Sequence, residues 1–418
     1  GHGIVCFISN YSWLDGLSHT GMRERYLEVF DRIWVDNLHG DRKISEYAPD
    51  GRTSETVFAI HGSSSGIQVG TAICLMAREP GGGKFRSGVL LYRDFDQGPA
   101  DERRMALLDS LSETGDGQYR PVKPLLALGL PLKPRAVGDD YLAWPLLPEL
   151  FPVSFPGVKT SRDEALVDID RDRLERRMRH YFDPSLSDEA VRTIAPALMT
   201  PAARFDPVAT RQTLLKRGFR PESIVRYCYR PFDLRWLYWE PETKLLDEKR
   251  EEYRGHVDGT SHWLVTQQKP RRDWSRPQVI RSLGCLDLMD RGASSVPLRV
   301  RGDAVRLLSG SEPADQVWRL NLTTAAGSYI EPVGPAAHDS LFYHALAIMH
   351  APAYAEENAG ALRQDWPRVP LPADSDLLLA SAALGREVAA LLDTETDVDG
   401  VTAGTPRPEL ATIAVPER

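Results

Sequence analysis

The run GIVCFISNYSWLDG at residues 3–16 constrains the fold more than any other stretch of the chain. Ile4, Val5, Cys6, Phe7 and Ile8 are apolar in unbroken succession, the pattern of a strand buried on both faces. Such a strand belongs inside a parallel sheet and needs a neighbour on each flank. Yet it stands almost at the first residue, with no initiator Met before it. Met22, Tyr26, Val29 and Phe30 then fall at helical spacing, with Ser18 or Thr20 as candidate caps. RIWVDN at 32–37 reads as the next strand. VFAI at 57–60 and VGTAICLMAR at 69–78 read as strands on either side of the turn-rich GSSSG, and GVLLYRD at 88–94 as another. Strand, helix, strand, loop and strand pair predict the second half of an α/β sheet finished by a hairpin.

Beyond residue 95 the pattern changes. RPVKPLLALGLPLKPR and WPLLPELFPVSFPG are too rich in proline for long helices, so 96–160 reads as a transition between domains. A mixed α+β region over 161–393 follows, with a loose tail at 394–418. Within that region, Leu174, Met178 and Phe182 mark one face of an amphipathic helix. Its other face carries Arg171, Arg173, Arg176, Arg177 and Arg179, which read as solvated or paired with acids. Short strand-like runs dominate 220–335, and LFYHALAIMH and LLLASAALGREVAALL return to helix. A chain of 418 residues exceeds one ordinary core, so two or three domains are expected. No apolar run is long enough for a membrane span, and the start lacks the basic region of a signal peptide. Cys6, Cys74, Cys228 and Cys285 are far apart, which fits neither a disulfide framework nor a zinc site and points to a reducing cytoplasm.

Candidate chemistry is sparse. GGGK at 81–84 is followed by Phe85 where a phosphate loop needs Ser or Thr, so it reads as a turn. Asp36, His39 and Asp41 place two carboxylates and an imidazole at a strand's end, where open α/β sheets carry function; a small-molecule enzyme using them is one reading. His344 and His350 lie on different faces of an apolar helix and read as packing or solvent-contact residues. The run QQKPRRDWSRPQVIR at 267–281 is the most suggestive of binding. Lys269, Arg271, Arg272, Arg276 and Arg281 face only Asp273, Trp274 sits among them, and Gln267 and Gln268 offer amides suited to base edges. Arg299 and Arg301, alternating in PLRVRGD, extend the same surface. The net charge of −8 does not oppose this, because phosphates respond to local charge within about 10 Å.

Together these segments resemble the type ISP restriction-modification enzymes, single-chain bacterial proteins that cut and methylate DNA. Residues 3–41, TSETVFAI and VGTAICLMAR resemble the end of their γ-type adenine-N6 methyltransferase domain, the C-terminal half of a Rossmann-like sheet over residues 1–95. FPGVKTSRDEALVDID, YRPFDLRWLYW, NLTT, FYHALAIMHAPAYAEENAGALRQDWPRVPLP and LGREVAALL resemble the target recognition region behind it. The resemblance implies double-stranded DNA as partner and S-adenosylmethionine as cofactor of the intact enzyme. It also implies an upstream glycine-rich cofactor loop, an Asn-Pro-Pro-Tyr-type motif, and nuclease and helicase modules, none of which occurs in these 418 residues. The chain is therefore expected to be the C-terminal part of a larger enzyme, with no cofactor bound and no methyl transfer on its own. A standalone specificity subunit working with a separate catalytic chain is the other reading of the same segments.

Overall fold

The computed structural model describes residues 1–42, 54–58, 67–80, 88–96, 98–112, 115–270, 273–290, 292–302, 317–334 and 337–397. These fold into two compact units. The first comprises residues 1–143 with 269–274 and 356–367, and the second residues 144–268 with 275–355 and 368 onward. The boundary near residue 143 divides the proline-rich stretch 96–160 between the units instead of leaving it as a separate transition. Two later segments return to the first unit, a non-local arrangement that composition along the chain cannot register.

The first unit is built on β1 (Gly3–Asn10), β2 (Arg32–His39), β3 (Thr71–Arg78), β4 (Val89–Asp94) and β5 (Arg120–Val122), in the order β1-β3-β2-β4-β5. The helix Thr20–Val29 connects β1 to β2. β3 runs antiparallel to both of these, so β1 and β2 share a direction with β3 inserted between them. β4 is parallel to β2 and β5 antiparallel to β4. The inner strands bury Ile33, Val35, Cys74, Met76, Leu90 and Tyr92 against Trp13 and Leu14. β1 departs from expectation. It lies at the sheet's border with β3 as its only hydrogen-bonded neighbour among the described residues, and Ile4, Val5 and Ile8 stay 74%, 43% and 56% exposed. An unbroken apolar run looks the same in sequence whether a sheet continues past it or not. The expected strand at 57–60 is also absent in its described part, since Val57 and Phe58 form a turn, and 59–60 lie outside the described residues. The helix is preceded by His19, with no side-chain cap from Ser18; the Thr20 hydroxyl donates instead to the Leu17 carbonyl at 2.8 Å.

One buried cation closes this unit. The Arg23 guanidinium donates to the carbonyls of Trp13 at 2.6 Å, Gly16 at 2.8 Å, Gly129 at 2.5 Å and Leu130 at 2.8 Å. It thereby ties the YSWLDG loop to the chain beyond β5 and gives the buried Trp13 carbonyl a donor.

The described residues of the second unit form three sheets. Their strands are β6 (Phe155–Pro156), β7 (Val167–Asp168), β8 (Ile224–Arg230), β9 (Asp233–Tyr238), β10 (Trp263–Gln267), β11 (Gln278–Ile280), β12 (Leu283–Gly284), β13 (Ala293–Pro297), β14 (Arg299–Gly302) and β15 (Val317–Leu320). They are ordered β12-β8-β9-β7, β11-β10-β13-β6 and β14-β15. One core joins Leu174, Met178, Tyr181, Tyr227, Tyr238, Tyr253 and Trp263. The helices Ser340–His350 and Ser375–Leu392 fall where the apolar spacing places them. His344 and His350 serve packing: His344 contacts Ser381 Oγ at 2.9 Å and the Pro370 carbonyl at 2.8 Å, and His350 the Pro277 carbonyl at 3.0 Å.

The arginines of the helix Arg171–Tyr181 are paired with acids. Arg171 and Arg179 bond to Glu175, while Arg173 and Arg177 converge on Asp168. Burial alone would raise the Asp168 carboxyl. The hydrogen bonds from Arg173, from the Asp170 amide and from Arg177 outweigh it and hold the group at about 2. A carboxyl depressed in the folded state stabilises fully above its unfolded value near pH 4 and loses that contribution as pH falls towards 2. Asp168→Asn is therefore expected to lower stability by about 1–2 kcal/mol at pH 7, screening included, with the gap closing near pH 2. Urea titrations at both pH values check it, and a gap that persists in acid would refute the assignment.

Candidate nucleic-acid interface

The basic run at 267–281 is divided between the units, with residues 269–274 in the first and the flanking residues in the second. Gln267 is a clear correction. It ends β10 fully buried, and its amide donates to the Met289 carbonyl, so it does not offer itself to base edges. All five residues of β10 are buried, and a short strand running into a basic stretch leaves little sequence trace. Gln268 is exposed and Trp274 half-buried, while Arg271 and Arg272 lie outside the described residues. Arg281 is a second correction. Its guanidinium is ion-paired with the buried carboxylate of Asp393 and also reaches Thr396 Oγ1 at 3.3 Å. Arg226 is held likewise by Glu395 at 3.1 Å, so the first residues of the expected loose tail are anchored. Arg276 remains exposed, with no carboxylate partner among the described residues.

Among the described residues, two concentrations of positive charge stand out. In the second unit, β14 and β15 form a two-stranded antiparallel ribbon in which Arg301 faces Trp318 and Arg299 faces Leu320. The Arg301 guanidinium lies 5.1 Å from the Trp318 ring centre, and Arg299 is exposed without a carboxylate partner among the described residues. Burial, together with the like charge of Arg301, lowers the affinity of Arg254 for its proton. A ribbon of this width fits the major groove of duplex DNA.

In the first unit, the Asp15 carboxylate stands among several cations. Arg135 reaches Asp15 Oδ2 at 2.5 Å and Lys133 reaches it at 3.8 Å, while Lys269 Nζ donates to the Asp15 carbonyl at 3.4 Å. Arg23 adds its charge to the same carboxylate, and Arg363 acts on Lys269 and Arg135 beside it. Burial pushes the Asp15 carboxyl up, but Lys133, Arg135, Lys269 and Arg23 together hold it below the usual carboxylate range. Lys269 is pushed below the usual ammonium value by burial and by Arg135, Arg23 and Arg363, despite the nearby Asp15. Lys269 and Arg363 carry the cluster to the solvent, and Arg363 has only the highly exposed Asp273 at 3.5 Å as its acid among the described residues. Of these residues, sequence reading singled out Lys269 alone. The available signal for two others was the alternating pair Lys133 and Arg135 in the segment LPLKPR.

The triad Asp36, His39 and Asp41 is not gathered into a site. Asp36 forms a two-bond ion pair with Arg93 at 2.7 and 2.9 Å, and His39, at a left-handed φ of 54°, contacts Asp94 at 2.5 Å. Among the described residues, no group of three His, Cys, Asp or Glu is placed to hold a metal ion. Nor is any helix among them long and apolar enough to cross a membrane.

The family model of the Type ISP C-terminal specificity domain matches residues 149–409, well over half of the chain. The chain belongs to the Type ISP specificity-domain family. Its fold is shared with DNA-bound restriction-modification enzymes of that type. The Type ISP enzyme LlaBIII bound to DNA superposes over 95% of this chain and 25% of its own, with a TM-score of 0.66 and 16% identity. The DrdV–DNA complex covers 99% and 41%, with a TM-score of 0.64 and 19% identity. A nuclease-deletion mutant of the Type ISP enzyme LlaGI, in complex with a DNA substrate mimic, covers 93% and 35% at 0.62 and 19%. This chain thus spans between a quarter and about two fifths of the length of these three structures. No curated protein matches it.

Proposed function

We propose that this chain is the DNA-reading portion of a bacterial, cytoplasmic restriction-modification enzyme that methylates adenine at N6. The second unit reads the target sequence. The first unit is the closing half of the methyltransferase sheet, a reading supported by the shared direction of β1 and β2 and by the apolar residues on β1. Methyl transfer from S-adenosylmethionine, and any nuclease or helicase action, belong to modules outside these 418 residues. The residues present do not fit the methyl donor, since the chain has no glycine-rich cofactor loop and no Asn-Pro-Pro-Tyr-type motif, and no group here is assigned to it.

The observation that carries the reading is the cluster at Asp15. In a chain of net charge −8, four cations act on the Asp15 carboxylate with Arg363 beside them, and the group reaches solvent through Lys269 and Arg363. Buried or half-buried charge in excess calls for a counter-charge, and a DNA phosphate supplies one. Lys269, Arg276, Arg299 and Arg301 are the proposed contacts among the residues that sequence reading named, with Lys133, Arg135 and Arg363 added from the structure. Cations at this cluster position the duplex, and side chains of the ribbon reach base edges.

Fluorescence anisotropy on a labelled duplex between 50 and 200 mM salt, roughly the range over which phosphate contacts weaken, tests this. Affinity is expected to fall steeply with salt. Lys269→Ala with Arg363→Ala is expected to weaken binding evenly across sequences and to reduce the salt slope by about 1 for each phosphate no longer neutralised. Unchanged binding by the double variant would remove the cluster from the interface. No tritiated methyl group is expected on DNA incubated with this chain alone, and clear turnover would overturn the division of labour.

A further inference from the structure

The hairpin joining β8 to β9 carries the least expected side chain on the surface of the second unit. Arg230 pairs with Asp233, so Pro231 and Phe232 alone form the turn. Pro231 fixes its own φ, and Phe232 takes the left-handed conformation at φ 61°. That position in a proline-led turn ordinarily belongs to glycine, because any Cβ there crowds the backbone. A bulky aromatic is strained in it, and Phe232 is also 61% exposed, so it gains little from burial in return. Strain of this kind, held by a rigid surround, is an outlier from which function can be inferred.

The surround is rigid. The Tyr229 ring is flanked by the guanidiniums of Arg230 at 4.3 Å and Arg235 at 4.2 Å, and its hydroxyl donates to Asp163 at 2.8 Å. Arg235 is fixed by a two-bond pair to Asp233, while Arg230 donates to the Tyr229 carbonyl at 2.7 Å and to Cys285 Sγ at 3.3 Å. The tip is therefore an apolar plate held outward on a stiff two-stranded base, with planar cations beside it.

We infer that Phe232 is a wedge that enters between base pairs of bound DNA. This rests on the reading of the chain as a DNA reader and names a further residue for it. An aromatic pushed between base steps replaces part of the stacking it breaks, and the Arg230 guanidinium adds positive charge near the tip. The wedge opens the duplex locally, which eases extrusion of the adenine that an N6 methyltransferase must reach.

The test compares the full chain with Phe232→Gly and Phe232→Leu on two duplexes of one sequence, the first intact and the second carrying a single abasic site. A wedge binds the already unstacked duplex more tightly, and a preference of roughly tenfold is expected of the unaltered chain. Phe232→Gly relieves the turn, so it is expected to unfold no earlier than the parent and to lose the preference while keeping salt-dependent binding to the intact duplex. Phe232→Leu is expected to keep part of the preference. Absence of a preference in the parent chain, or its full retention by Phe232→Gly, would overturn the wedge and leave the DNA reading standing. Failure of the parent chain to bind either duplex would instead overturn the reading on which the wedge rests.

Discussion

A single methyl group at position 385 is expected to destabilise the second unit by about 2–3 kcal/mol. In an ordinary helix the change from glycine to alanine has the opposite sign, gaining close to 1 kcal/mol from the lower entropy cost of fixing the backbone. Packing reverses it here. A Cβ at Gly385 would stand 1.8 Å from the Tyr343 carbonyl oxygen and 2.5 Å from its carbon, both backbone atoms that cannot turn aside. The helices Ser340–His350 and Ser375–Leu392 meet along Leu378, Ala382, Gly385 and Ala389, all buried. Gly385→Ala must therefore push the two helices apart along that seam. The contact between His344 and Ser381 at 2.9 Å and the ion pair between Arg386 and Asp339 at 2.6 Å lie on the same pair of helices and would open with it. Urea unfolding followed by tryptophan fluorescence measures the effect. A midpoint equal to or above that of the parent would show that the helices part freely and that the close approach contributes nothing.

The helices of this seam were legible from their sequence because their apolar residues recur at a period that only a helix satisfies. The strands β1 to β4 were legible for a related reason, as short apolar runs bounded by turn residues. What such runs do not encode is order and direction. Nothing in TAICLMAR says that it enters antiparallel between two strands lying earlier in the chain, or that β1 is left at the border. The candidate site was less legible still, because charge is local in sequence only by accident. Arg276 and Arg281 look alike, yet Asp393 takes up the second and leaves the first exposed. Gln267 and Gln268 are adjacent, yet the first ends a fully buried strand and the second lies exposed just beyond it. Asp15, Arg135, Lys269 and Arg363 come together from four distant segments, and only tertiary structure makes them one cluster.

That cluster leads to the other large effect, expected of Asp15→Asn. Removing one charge from a buried pair leaves its partners uncompensated, which typically costs about 3–5 kcal/mol. Here the partners are Lys133 and Arg135, both largely buried, with Arg23 and Lys269 nearby, so the first unit is expected to lose stability on that scale at pH 7. The sign with pH follows from the depressed carboxyl. Asp15 stabilises the fold above its unfolded value near pH 4 and ceases to do so as pH falls through its lower folded value, so parent and variant converge in acid. A purely structural ion pair predicts this much and no more. An anion site predicts a second result, because the cations freed in the variant gain more from a bound phosphate than those of the parent. Duplex DNA is therefore expected to raise the unfolding temperature of Asp15→Asn by more than it raises that of the parent, and high salt to erase the difference. Equal shifts in the two proteins would mean that the five cations neutralise nothing outside the chain, and the contact with DNA would then have to be sought in the second unit, at Arg276, Phe232 and the ribbon of Arg299 and Arg301.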